Sequence, residues 1–174
     1  TPNGTVYYAS LAGSYLGRID AASGKVEEIP LGPSSAPHGV IVGPDGAAWI
    51  TDSGQNAIVR VDPKTRAVKS WPLPADTGYA NLNTAIFDKA GIHWFTGQSG
   101  YHGRLDPKTG DLKVFESPKG RGPYGIHATP NGTVYYASLA GSYLGRIDAA
   151  SGKVEEIPLG PSSAPHGVIV GPDG

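Results

Sequence analysis

The chain lacks cysteine and methionine entirely, and its formal net charge is only −1 over 174 residues. The absence of cysteine excludes disulfides, thiolate catalysis and cysteine-bound metals. The balanced charge gives no electrostatic footprint for nucleic acid or for an anionic membrane. No run of about 18 apolar residues is present, so the sequence predicts no transmembrane helix. We therefore expect neither nucleic acid nor a membrane as a partner.

The two ends of the chain carry the same sequence. Residues 1–46 recur without a substitution as residues 129–174, an offset of 128 positions. Natural repeats drift, so this identity favours an engineered or excised sequence over a very recent duplication. With no methionine, the chain is expected to begin where a longer sequence was cut or designed to begin. Its first residues lack a basic segment and an apolar stretch, so no signal peptide is expected and the cellular location stays open.

A shorter repeat lies inside the long one. Gly (26) and Pro (16) are abundant among Tyr, Val, Ile and Trp, a mixture typical of short strands joined by tight turns. One type of turn ends at Gly4, Gly46, Gly91, Gly132 and Gly174, with spacings of 42, 45, 41 and 42. Four short β-type runs per period of about 40–45 residues are the signature of a β-propeller blade.

The sequence therefore predicts an all-β chain that forms one propeller unit, residues 1–174, with four four-stranded blades. The chain starts one strand late and ends with one extra strand, which could complete the first blade. The predicted blades are residues 5–29 plus 165–171, residues 37–73, residues 81–117 and residues 123–158.

Two ring sizes are compatible with this pattern. One chain could close alone as a four-bladed ring, or two chains could share an eight-bladed ring in which each tail pairs with residues 5–10 of its partner. Blade packing evolves for one ring size, and exposed end blades favour association. We therefore predict half of an eight-bladed ring, closed by strand complementation in a homodimer.

The repeats resemble those of the streptogramin lyase (virginiamycin B lyase) family. The resemblance is carried by "PHGVIVGPDGAAWITDSGQNAIVRVDPKT" (37–65) and "GIHWFTGQSGYHGRLDPKTG" (91–110). It implies a seven-bladed relative that uses a divalent metal, usually magnesium, to open a cyclic depsipeptide by elimination. It also implies that histidines and acidic residues cluster at the mouth of the central channel.

One column of the repeat lies at the start of the strand nearest the ring axis. This inner column holds His38, Asn83, Tyr124 and His166. The resemblance matches His38 and His166 to the family's "PHG" motif, which makes them candidate catalytic bases, since neutral imidazole suits that role. Asn83 and Tyr124 are candidate binding residues. The alternative is that polar residues line a wet channel.

A second column, at the end of the next strand, holds Ser10, Asp52, Gly97 and Ser138, where the family often carries Glu. Magnesium prefers carboxylate oxygens, so three of these four positions argue against a metal. Asp52 is the candidate metal ligand, with a turn cap as the alternative. We expect no cofactor, or magnesium if lyase activity is retained.

The remaining candidates are weaker. Tyr79 and Asn81 lie in a long connector over one face of the ring and are candidate binding residues. His93, His102 and His127 occupy columns that are otherwise apolar, so packing is expected for them. The sequence favours a self-assembling propeller with no catalytic task over two alternatives, a metal-assisted lyase and a propeller that binds a small ligand or peptide.

Overall fold

A computed structural model describes Thr1 and residues 3–173 of the chain. The predicted unit 1–174 thus includes two positions, 2 and 174, that lie outside the described residues. The described part contains 15 short β-strands and one turn of 3₁₀ helix at Ala75–Thr77. Within it, no helix has the length and apolar character that a membrane span requires. The predicted all-β, propeller-like fold is confirmed.

Four antiparallel sheets follow one another along the chain, each with its strands in sequence order. The first sheet, blade 1, contains β1 (Val6–Ser10), β2 (Tyr15–Ile19) and β3 (Val26–Pro30). Blade 2 contains β4 (Pro37–Val42), β5 (Ala48–Asp52), β6 (Ala57–Val61) and β7 (Val68–Pro72). Blade 3 contains β8 (Leu82–Phe87), β9 (His93–Gly97), β10 (Tyr101–Leu105) and β11 (Leu112–Glu116). Blade 4 contains β12 (Pro123–Ala128), β13 (Val134–Ser138), β14 (Tyr143–Ile147) and β15 (Val154–Pro158).

Aspartates stabilise the turns between the last two strands of the blades. Asp62 accepts hydrogen bonds from the backbone N–H groups of Lys64 and Thr65, both at 2.9 Å. The bonds from Thr65 and Lys64 lower the pKa of Asp62 to about 2. Such Asx turns are the reason that Asp recurs where these strands end.

The core consists of three apolar layers, each between two neighbouring blades. Leu16 and Ile29 of blade 1 pack with Ile50 and Val59 of blade 2. The second layer, between blades 2 and 3, contains Trp49, Leu82, Phe95 and Leu105. The third, between blades 3 and 4, contains Trp94, Ile126, Tyr136, Tyr143 and Ile147. A single blade buries neither face alone, so the blades stabilise one another in order along an open arc.

The tail, residues 165–171, is not in a strand and does not pair with β1 in this chain. It runs along β12 instead, where the N–H of Gly125 donates to the carbonyl oxygen of His166 at 3.0 Å. The first sheet therefore has three strands, and the chain does not close by itself as a four-bladed ring. The physical reason is that three packed layers hold β1 and the tail at opposite ends of the arc. Completion of blade 1 by the tail of a second copy stays a prediction.

His93 lies in the layer between blades 2 and 3 and is fully buried. Its ring is near those of Trp49, Phe87 and Phe95, with centroid distances of 5.5, 5.1 and 6.3 Å. Neither ring nitrogen has a hydrogen-bond partner among the described residues. Burial therefore lowers the pKa of His93 to about 3.

We predict that His93 makes the fold sensitive to acid. Below the ordinary histidine pKa of about 6.5, the unfolded chain binds a proton that the folded chain excludes. Stability is thus lost as the pH falls from about 6.5 towards 3, by about 1.4 kcal/mol per pH unit from this residue. Between pH 7 and 4.5, the unfolding free energy measured by urea titration should fall in both proteins. The fall should be about 2–3 kcal/mol smaller in His93→Val than in the wild type. The matched control is His127→Ile, which replaces a half-buried histidine. Equal slopes of unfolding free energy against pH for His93→Val and wild type would contradict the prediction.

A second prediction concerns the turn before β9. The Asp88 carboxylate accepts bonds from the N–H groups of Ala90 (2.9 Å) and Ile92 (3.0 Å) and from the indole N–H of Trp94 (2.8 Å). Asp88→Ala should lower the unfolding free energy by about 1–3 kcal/mol, because the partly buried donors of Ile92 and Trp94 lose their acceptor. Asp111→Ala is the control, since its ion pairs with Arg104 and Lys113 are long, at 3.9 and 3.7 Å. A comparable loss in both variants, measured by urea denaturation, would refute the assigned role of Asp88.

Candidate functional site

The inner column is built by the first strand of each complete blade together with the tail. Strands β4, β8 and β12 are neighbours in the arc, and the tail follows β12. Asn83 and Tyr124 each offer their backbone carbonyl to the preceding blade. The hydroxyl of Thr51 donates to Asn83 O at 2.6 Å, and the hydroxyl of Thr96 donates to Tyr124 O. These bonds fix the height at which the column side chains lie.

The glycine that follows the column residue in "PHG" and "PYG" has a steric cause. A β-carbon on Gly39 would lie 2.4 Å from Asn83 O, and one on Gly125 would lie 2.6 Å from His166 O. At these two positions a side chain would collide with the next inner strand, whereas in blade 3 Thr84 follows the column residue and bonds Tyr124 O. The motif "PHG" therefore reports the spacing of the blades as much as any chemistry of the histidine.

The inner column brings its predicted side chains together. The His38 Nδ1–H donates to Asn83 O at 3.1 Å, which leaves Nε2 to accept from the Tyr124 hydroxyl at 3.4 Å. The His38 and Tyr124 rings meet edge to face, with centroids 6.0 Å apart. On its other side Tyr124 contacts the His166 ring, with centroids 4.0 Å apart. The four positions thus form one cluster, in which His38 and His166 are exposed.

Asn83 is the least exposed member of this cluster, at 2% of its surface. Its side-chain Nδ2 is buried and has no hydrogen-bond partner among the described residues. A buried amide donor without an acceptor costs about 1–3 kcal/mol, so an acceptor that reached Asn83 would stabilise the structure. The cluster can therefore offer an amide N–H, a phenol hydroxyl and two imidazoles, with aromatic faces beside them.

Asp52, the predicted metal ligand, is fully buried and bonded to the protein. Its carboxylate accepts from the Ser35 hydroxyl (2.5 Å), the Ala36 N–H (2.9 Å) and the Gln55 N–H (3.0 Å). Asp52 thus joins the end of β5 to the connector that precedes β4, which agrees with its alternative interpretation as a cap.

The residues present do not fit the magnesium ion that the resemblance implies. The inner column contains no carboxylate, and the oxygens of Asp52 are taken up by three protein donors. Over Thr1 and residues 3–173, no group of three or more His, Cys, Asp or Glu side chains could hold a metal ion. Magnesium prefers oxygen ligands in an octahedral arrangement, which imidazoles and a phenol do not supply.

The connector candidates lie beside the column rather than in it. Tyr79 is 60% exposed, and its hydroxyl donates to Asn81 Oδ1 at 3.3 Å. The Asn81 side-chain amide donates in turn to Gln98 Oε1 at 3.1 Å. None of the hydrogen bonds described for these two residues reaches the inner column.

Of the other histidines, His93 and His102 are fully buried, as their columns predict. His102 is fully buried, and its Nε2–H donates to Gly152 O at 2.8 Å, between blades 3 and 4. Burial lowers the pKa of His102. His127 is half-buried on β12. The sequence analysis did not identify Thr51 and Thr96. A signal was present, because "WITD" and "WFTG" have Thr at the position where "YYAS" has Ala, and these two blades bond the next inner strand through that Thr.

Comparison with known proteins agrees with this geometry. The sequence model of the virginiamycin B lyase family matches residues 1–174. Virginiamycin B lyase of Nocardia farcinica is 30% identical over 170 residues, which are 97% of this chain and 57% of that protein. Gluconolactonase of Zymomonas mobilis is 35% identical over 136 residues, or 67% of this chain and 37% of that protein. The chain thus spans little more than half the length of the N. farcinica lyase.

Solved structures show the same arrangement of blades. A catalytically inactive His-to-Ala variant of virginiamycin B lyase from Staphylococcus aureus, solved with quinupristin, superposes with a TM-score of 0.84 at 28% identity. The match covers 94% of this chain and 55% of that one. A streptogramin B lyase structure gives the same TM-score, 0.84, at 23% identity, over 96% of this chain and 55% of that one. On its repeats, its fold and its family match, the chain belongs to the virginiamycin B lyase family.

Proposed function

We propose that the chain is a self-assembling propeller arc that binds a small ligand at the inner column and has no catalytic task of its own. The observation that carries the proposal is the contact of His38 with Tyr124 across β8, the strand on which the Asn83 amide is buried without an acceptor among the described residues. A ligand carbonyl placed there would satisfy Asn83 and accept from the Tyr124 hydroxyl.

The ligand class follows from the charge and shape of the column. Its four side chains include no carboxylate, lysine or arginine, so they favour an uncharged molecule rich in amide or ester carbonyls. The rings of Tyr124 and His166 offer faces for an aromatic or apolar group of the same ligand. Cyclic peptides and depsipeptides combine these features, and the inactive S. aureus lyase variant was solved with quinupristin.

The proposal assigns binding without chemistry because no carboxylate accompanies the imidazoles. A metal-assisted elimination needs oxygen ligands for the ion, and Asp52 is committed to Ser35, Ala36 and Gln55. The 46-residue identity of the two ends supports the associated interpretation that the sequence is engineered or excised.

The alternative function is a lyase that opens a cyclic depsipeptide. Family membership favours it. So does the S. aureus lyase, which is catalytically inactive when one of its histidines is replaced by alanine. In that case His38 or His166 would serve as the base.

Quinupristin titration distinguishes these functions. We expect saturable binding by calorimetry that is unchanged by excess EDTA, and no change in quinupristin by chromatography after long incubation with magnesium. Elimination leaves the mass unaltered, so chromatographic retention rather than mass alone is the readout. Product that forms with magnesium and disappears in the His38→Ala, His166→Ala double variant would establish the lyase instead.

Two variants test the binding residues. Asn83→Leu and Tyr124→Phe should each weaken quinupristin binding by about tenfold, because each removes one hydrogen bond worth about 1.4 kcal/mol. Tyr135→Phe, which removes a hydroxyl from β13 outside the inner column, is the matched control and should bind as the wild type does. Equal affinity in all four proteins would rule out the inner column as the site.

A further inference from the structure

The inner column lies at a bulge in the inner strands. In β4, Gly39 pairs with Thr51 while His38 has no partner on β5. In β8 the register shifts in the same way between Leu82 and Ala85, around the column residue. A bulge turns the side chain of its extra residue out of the regular alternation of the strand. The hydrogen bonds beside the bulge therefore decide how the column side chain is held.

Thr51 bonds both sides of the contact that holds His38. Its hydroxyl oxygen accepts from the N–H of Gly39, the residue after His38, at 3.0 Å. The same hydroxyl donates to Asn83 O at 2.6 Å, and Asn83 O also accepts from His38 Nδ1–H at 3.1 Å. Thr51 is fully buried. One buried hydroxyl thus fixes the backbone that carries the imidazole relative to the carbonyl that the imidazole bonds.

Blade 3 lacks the corresponding contact, and its sequence gives the reason. There Thr84 follows the column residue Asn83. The hydroxyls of Thr84 and Thr96 both donate to Tyr124 O. A carbonyl oxygen has two lone pairs, so Tyr124 O is fully used, and Asn83 Nδ2 has no partner among the described residues. In blade 2, glycine at position 39 leaves the second lone pair of the equivalent carbonyl to the imidazole.

We infer that Thr51 is a positioning residue that holds neutral His38 as one tautomer, so that the inner column selects a ligand group that both donates and accepts a hydrogen bond. The inference rests on the proposed binding function. A backbone carbonyl can only accept, so Nδ1 carries the hydrogen and Nε2 presents a lone pair. In the free site the Tyr124 hydroxyl, 3.4 Å away, donates to that lone pair.

The ligand group follows from this pair of atoms. His38 Nε2 offers an acceptor and the Tyr124 hydroxyl offers a donor beside it, and the contact between them is exposed. A primary or cis amide carries an N–H and a C=O on one edge, so it can bond both atoms at once. An ester offers only its carbonyl and leaves the imidazole lone pair without a donor. The site is therefore expected to prefer an amide edge to an ester.

The tautomer is measured by two-bond proton–nitrogen NMR on the full chain labelled at histidine. At about pH 8, where an ordinary histidine is neutral, His38 should show a protonated Nδ1 and an unprotonated Nε2. His38→Gln identifies its signals by their loss. Thr51→Ala should give a mixture of both tautomers, and Thr51→Ser, which keeps the hydroxyl, should retain the wild-type pattern.

The fold accommodates the test substitution, because blades 1 and 4 carry alanine at the equivalent positions, Ala9 and Ala137. Thr65→Ala, in an exposed turn, is the matched control and should leave the His38 signals unchanged. A wild-type spectrum with the hydrogen on Nε2 would refute the assigned tautomer. A pure Nδ1–H tautomer in Thr51→Ala would refute the positioning role of Thr51.

The selectivity is measured with two probes that differ in one group, phenylacetamide and methyl phenylacetate. In NMR titrations the amide should bind the wild type about tenfold more tightly, because only the amide donates to His38 Nε2. In His38→Phe, which keeps an aromatic ring and removes the acceptor, the two affinities should become equal. Tyr135→Phe, outside the inner column, is the control and should keep the preference.

The outcomes separate this inference from the proposed function. If quinupristin binds the wild type and the amide probe is not preferred to the ester, the selectivity is refuted and the proposed binding function stands. If neither quinupristin nor either probe binds, the proposed function and the selectivity both fail, and the tautomer spectra still decide the role of Thr51.

Discussion

Burial of apolar side chains between successive sheets is the interaction on which the rest of this structure depends. Each blade is a twisted sheet with two apolar faces, and water covers whichever face has no neighbour. Ile50, Trp49 and Trp94, one in each of the three layers, are all at most 2% exposed. Burying an aromatic side chain of this size is worth several kcal/mol, while one exposed turn hydrogen bond contributes about 1 kcal/mol. The layers therefore set the order and spacing of the blades, and the turns only join them.

The inner column is a consequence of that spacing. Once the layers fix neighbouring blades, the inner strands approach so closely at Gly39 and Gly125 that these two positions have no room for a side chain. The carbonyls of Asn83 and Tyr124 are then held by threonines from the blade before. His38 and Tyr124 can meet only because this scaffold places them at one height. The scaffold thus supplies a polar cluster without supplying the carboxylates that a hard cation needs.

The duplicated sheet shows which features the local sequence encodes and which depend on neighbouring strands and blades. Tyr8 and Tyr136 have the same neighbours along the chain and on the next strand. Only Tyr136, which also pairs with Ile126 of the inner strand and faces blade 3, is fully buried. The pattern that makes both faces apolar is local, whereas the covering of a face depends on a blade that follows or precedes it. A propeller repeat is in this sense an incomplete unit, because its two faces are buried only by neighbouring repeats.

The sequence by itself determined the strands, their order and the blade period, because alternation and turn residues act over a few positions. It also determined the inner column, since equivalent repeat positions occupy equivalent places. Only the tertiary structure decided that Asp52 is bound by Ser35 and two backbone amides, that Asn83 is buried without a partner among the described residues, and that the tail follows β12 instead of joining β1. Those outcomes depend on contacts between segments that are far apart in sequence. The angle between packed blades decides whether such segments meet, and no local sequence pattern encodes that angle.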